Sequence, residues 1–104
     1  MNNQGFGFRF GDIHTIIFLE DKIRVDVVDY FSISSNEILL SNIKSVTYKK
    51  PSLFGKGSIF IELIEKDENL HRYAHFMLVF KNQKFEAETV MDKFQSLSIP
   101  TKFE

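Results

Sequence analysis

Three histidines, fourteen acidic residues and a scatter of serines are the side chains of this 104-residue chain that could do chemistry. His71 and His75 invite a metal reading. On a strand, however, they lie about 13 Å apart, whereas two histidines four residues apart converge on one ion only with helical spacing. Asp26 and Asp29, with Glu20 and Asp21, form an acidic cluster. Strand parity sends Asp26 and Asp29 to opposite faces, and no DxDxDG-type calcium loop is present, so a solvated surface is the expectation. No GxSxG elbow marks a serine nucleophile, and the serines gather in turns. GFGFRFG near the start has close glycines but no following GKS or GKT, so it is not a phosphate loop. With no cysteine, disulfides, thiolate metal sites and cysteine nucleophiles are excluded. The sequence therefore predicts no catalytic residue, no metal ligand and no cofactor.

What remains is a surface. Ile38 to Ile61 carries Lys44, Lys49, Lys50 and Lys56 and no acid, a block of +4, while the remainder carries −5 and the whole chain −1. Leu53 and Phe54 fall at the expected tip of the loop from Lys49 to Lys56. Lys49, Lys50, Leu53, Phe54 and Lys56 are the candidate interaction surface. An apolar tip among lysines suits a protein partner, with Phe54 in a pocket and the lysines steering an acidic surface. It also suits an anionic membrane surface, where each nearby lysine adds about 1 kcal/mol. The plainer alternative is that Leu53 and Phe54 fold back onto the core. A positive block facing a negative remainder also permits a homo-oligomer.

The elements that would hold this loop are strands. Val46 and Tyr48 alternate with Ser45, Thr47 and Lys49, and Ile59, Ile61 and Leu63 alternate with Ser58, Phe60 and Glu62. Between them Pro51, Gly55 and Gly57 allow the chain to reverse, which predicts a hairpin with a long loop. Upstream, residues 13–19 and 22–28 read as two strands joined at Glu20-Asp21, and Ser-rich 30–36 as a strand end followed by a loop. Glu37 to Leu40 reads as a short strand. Ser41 and Asn42 then turn the chain so that Ile43 points inward. Glu65 to Asn69 reads as an acidic turn, and His71 to Phe80 as strand.

Ala87, Val90, Met91, Phe94 and Leu97 fall at the spacing of one helix face, with Asn82 as expected N-cap and Pro100 beyond the end. The fold class predicted is mainly β with one C-terminal amphipathic helix, about seven antiparallel strands in two near-orthogonal sheets or an open barrel. The helix caps it.

Domain boundaries follow: a Gly/Phe-rich leader at 1–12, one domain at 13–98 and a tail at 99–104. The leader has a second reading, in which Phe6, Phe8 and Phe10 form an extra strand on a sheet edge. Nucleic-acid binding through this segment needs more arginine than Arg9 supplies, so none is expected. No apolar run reaches eighteen residues and no secretory signal pattern opens the chain, so a cytoplasmic or membrane-peripheral protein is the expectation.

ILLSNIKSVTYKK, GSIFIEL and FMLVFKNQKFEAETVMDKF together resemble the small bacterial pleckstrin-homology-like domains across about residues 13–98. The resemblance implies two antiparallel sheets closed by a helix, no catalysis, and roles in protein association or membrane-surface binding. Bacterial members often self-associate. The basic phosphoinositide motif of eukaryotic relatives falls in the first hairpin turn, where this chain has Glu20-Asp21-Lys22. On this resemblance the chain is a non-enzymatic interaction module working through the loop or a sheet edge, with peripheral membrane attachment or inhibition of another enzyme as alternatives.

Overall fold

The computed structural model describes residues 4–10, 12–29, 31–53, 55–65 and 74–104. Its elements run β1 (Gln4–Phe10), β2 (Asp12–Phe18), β3 (Lys22–Val28), β4 (Ile33–Leu39), a 3-10 turn at Leu40–Asn42, then β5 (Ile43–Lys49) and β6 (Lys56–Leu63). β7 (His75–Lys81), α1 (Lys84–Ser96) and β8 (Thr101–Phe103) complete the order. The chain is mainly β with one C-terminal helix. Two four-stranded sheets are ordered β1-β2-β3-β4 and β7-β6-β5-β8.

Period-two alternation decides which side chains are inside. In the second sheet Val46 and Tyr48 of β5, Ile59, Ile61 and Leu63 of β6, and Leu78 and Phe80 of β7 are buried. Opposing them, the first sheet supplies Phe8, Ile16, Phe18, Ile23, Val25 and Ile38. The helix adds Ala87, Val90, Met91 and Phe94, and all these residues join one cluster. Aromatic rings interlock the layers: Phe8 lies 5.2 Å from Phe80, and Phe18 meets Phe94 edge-on at 5.0 Å. Burying one such ring is worth about 1.5–3 kcal/mol, so these contacts fix the relation between sheets and helix.

Several elements differ from the sequence reading. The expected leader is β1, paired with β2 from Gln4↔Phe18 to Phe10↔Asp12, and Phe8 is fully buried. The reading of a Phe-rich strand on a sheet edge describes it, because Phe8 has a core position to fill. In the expected tail, β8 pairs parallel to β5 at Val46↔Thr101, Thr47↔Lys102 and Tyr48↔Phe103. Among the described residues there are thus eight strands, and one pairing is parallel. The Ser-rich stretch is largely strand: residues 33–36 open β4 and pair with β3. Asp29 closes the turn before it, accepting from the backbone N–H groups of Phe31 (2.8 Å) and Ser32 (2.7 Å).

At the helix start the N-cap position is Gln83, without a side-chain capping bond, rather than Asn82. Asn82 sits at φ 57°, in the left-handed region that asparagine tolerates, and its N–H donates to the Gly55 carbonyl at 2.8 Å. At the other end Leu97 is the C-cap residue and 38% exposed, so the apolar face closes one turn earlier, at Phe94.

Candidate functional site

The hairpin loop between β5 and β6 is built by its backbone. Gly55 N–H donates to the Ser52 carbonyl at 2.8 Å and Ser52 N–H to the Lys56 carbonyl at 2.9 Å. Gly55, at φ 83°, takes the left-handed conformation that the reversal needs. Glycine is required twice over there, because a Cβ on Gly55 would also strike the Asn82 side chain. Gly57 answers a different need: a Cβ would lie 2.9 Å from both the Lys49 carbonyl and the Phe80 ring. The loop is therefore pinned to the strand end that leads into α1, where Asn82 N–H donates to the Gly55 carbonyl.

Leu53, inside that turn, is 102% exposed. For Leu53 the folded-back alternative fails, since the turn directs it away from both sheets. Lys49, Lys50 and Lys56 are exposed as well. Phe54 lies outside the described residues. Four of the five candidate residues thus stand on one exposed hairpin end.

Strand register extends the site beyond the loop. On the outer face of the second sheet, Lys49 lies opposite Ser58 and Ser58 opposite Val79; in the next row Thr47, Phe60 and Met77 stand side by side. Lys81 pairs with Lys56, placing two cations directly across from each other. Like charges at that spacing repel, so the fold concentrates positive potential at this end rather than dispersing it. Under the loop lies an open cleft of about 320 Å³ lined by Lys49, Ser52, Lys56, Gly57, Ser58, Met77 and Val79. Met77 is half exposed. The arrangement is an apolar floor with a cationic rim, able to hold an amphipathic anionic segment.

Phe60, Met77, Val79 and Lys81 were missed by reasoning along the sequence, although the signal was present. Parity that buries Ile59, Ile61, Leu78 and Phe80 sends these four outward, but only the pairing of β6 with β7 shows them to be neighbours.

Other sequence candidates separate. Asp26 accepts from the Ser35 hydroxyl at 2.6 Å and from the Arg24 guanidinium at 3.1 Å, which together hold its carboxyl below the ordinary value of 3.8. Asp29 is likewise lowered by the two backbone N–H groups it accepts. Both acids act within the fold, tying β4 and its turn to β3. His75 stacks on Phe60, ring centroids 5.2 Å apart, and His71 lies outside the described residues. Burial, with Glu88 adding to it, raises the Tyr48 hydroxyl above its ordinary 10.0. That hydroxyl has no hydrogen-bond partner among the described residues.

Among the described residues, no helix is long and apolar enough to cross a membrane. Comparison of the chain with protein-family models, with curated proteins and with solved structures finds no match.

Proposed function

We propose that this chain is a non-enzymatic, cytoplasmic association module of pleckstrin-homology-like type that binds an acidic, amphipathic protein segment across the loop from Lys49 to Lys56 and the cleft beneath it. The observation that carries the reading is the fully exposed Leu53 on a hydrogen-bonded turn among Lys49, Lys50 and Lys56. A leucine held out of the core by backbone hydrogen bonds has apolar area to bury only against another molecule, and the lysines select an acidic one. Two sheets closed by a helix support the pleckstrin-homology-like assignment, and the parallel β8 is a departure from the expected antiparallel pattern.

The test is titration of a synthetic peptide alternating Glu and Leu into the native chain and into a Leu53→Ser, Lys56→Glu variant. Binding that weakens at high salt, and about tenfold or more in the variant, supports the reading; equal binding by both refutes it. Leu53 also favours a second reading, insertion at an anionic membrane. Phosphatidylserine vesicles replace the peptide in that arm. Salt-sensitive sedimentation with vesicles, lost in the variant and unaccompanied by peptide binding, identifies the membrane as the target.

A further inference from the structure

β4 is a terminal strand of the first sheet, so its outer side has no strand beside it among the described residues. Its backbone polarity follows from its register. Asp29 N–H donates to the Ser32 carbonyl and Leu40 N–H to the Asp21 carbonyl, at opposite ends of a ladder running from Lys22↔Leu39 to Val28↔Ile33. Even-numbered residues therefore direct their N–H and C=O groups toward β3. Alternation leaves those of Ile33, Ser35, Glu37 and Leu39 pointing outward.

Among the described residues, the devices that usually keep such an edge single are missing. β4 has seven residues and contains no proline, glycine or lysine, and its ladder with β3 runs without a bulge. Ile33 is 76% and Leu39 54% exposed. Its one charge, Glu37, is drawn back over β3 by Lys22 at 3.1 Å. The other ends of the sheets are treated differently. β1 runs beside β7, and the Gln83 side chain accepts from Arg9 N–H at 2.8 Å while donating to the Gly7 carbonyl at 2.7 Å. At the far end of the second sheet, β8 is only three residues long.

We propose that two copies of this chain form a two-fold dimer by antiparallel pairing of β4 with β4, centred on Asn36, joining the two first sheets into one continuous sheet. The occupant follows from the strand's complementarity to itself. With Asn36 opposite Asn36, Ser35 faces Glu37 and Ile33 faces Leu39, and each of these pairs exchanges both N–H···O bonds of a narrow antiparallel ring. The carboxamide at the axis is self-complementary, since each Asn36 both donates and accepts. Apolar meets apolar at both ends of the interface, and Glu37 faces the small Ser35. Moving the axis to Glu37 puts two carboxylates directly opposite, and moving it to Ser35 puts Glu37 against Ile33; both registers are disfavoured. This dimer deepens the association reading but does not depend on the loop, so a Leu53→Ser, Lys56→Glu variant retains it.

Light scattering across a concentration series tests the proposal on six chains: native, Ile33→Lys, Leu39→Glu, the double variant of those two, Asn36→Cys, and Ser58→Cys as its control. The native chain is expected at twice its 12.2 kDa mass. Each single charge variant shifts dissociation at least tenfold toward monomer with unchanged circular dichroism. In the double variant the dimer returns, because each new lysine then faces a new glutamate. Asn36→Cys, in a chain with no cysteine of its own, oxidises to a covalent dimer, while Ser58→Cys on the opposite sheet does not. A monomeric native chain, a dimer indifferent to the single variants, or a double variant that fails to recover would each overturn it.

Discussion

The two terminal strands of the first sheet meet the same physical problem in opposite ways. β1 buries Phe8 completely, lies along β7, and has two outward backbone groups satisfied by Gln83. β4 buries only Ile38, exposes Ile33 and Leu39, and has no strand beside its outward groups among the described residues. A side-chain amide at the start of α1 thus takes the place of a neighbouring strand for β1. Edge protection in this protein is local, and the unprotected edge is the one whose residues complement a second copy. The contrast separates two roles: β1 belongs to the core, whereas β4 belongs to the surface.

The largest effect expected from this contrast is at Phe8. Phe8→Ala removes a ring in contact with Phe80 and should cost about 3–5 kcal/mol in urea unfolding, with a matching fall in midpoint. A cost under about 1 kcal/mol would mean that β1 is dispensable, and the contrast would fail. Next in size is Gln83→Ala, which leaves Arg9 N–H and the Gly7 carbonyl without their partner; about 1–2 kcal/mol should be lost, with faster amide exchange at Arg9. Unchanged exchange there would show that the side chain does not seal the edge.

Acid should loosen the β4 side first. Asp26 and Asp29 titrate lower in the folded chain than their ordinary 3.8, so their contribution is fully present above that value and is lost as pH falls through the lower folded values. Between about pH 5 and pH 2, amide protection corrected for intrinsic rates should fall in β4 before it falls in β1. The same order of loss in an Asp26→Asn, Asp29→Asn variant would contradict the assignment. The smallest stability effect belongs to Ile33→Ser, within about 0.5 kcal/mol for the folded chain, because that side chain leaves no cavity behind. Its influence should appear in association alone.

Much of the second sheet was legible in the sequence. Val46, Tyr48, Ile59, Ile61 and Leu63 alternate because β5 and β6 each carry one face into the core, and Ala87 to Phe94 keep helical spacing for the same reason. The terminal strands of the first sheet hid for opposite reasons. β1 alternates Phe with Gly and Arg, so its pattern was visible but its glycines resembled a leader; its ladder with β2 and the docking of Phe8 on Phe80 are long-range. β4 reads ISSNEIL, with a single buried residue, and such a strand leaves almost no hydrophobic period to detect. It is held instead by its ladder to β3 and by Ser35 donating to Asp26, long-range features that no local window contains. The candidate loop was found through charge and turn residues, while its cleft depended on Met77 and Val79, which come from a strand beyond it in the chain.

The most direct measurement of the central contrast is residue-resolved amide hydrogen exchange of the native chain at low and high protein concentration. The outward amides of Ile33, Ser35, Glu37 and Leu39 should gain protection as concentration rises, while Arg9, already bonded to Gln83, should be protected equally at both. Outward β4 amides that exchange as fast at high concentration as at low would contradict that contrast.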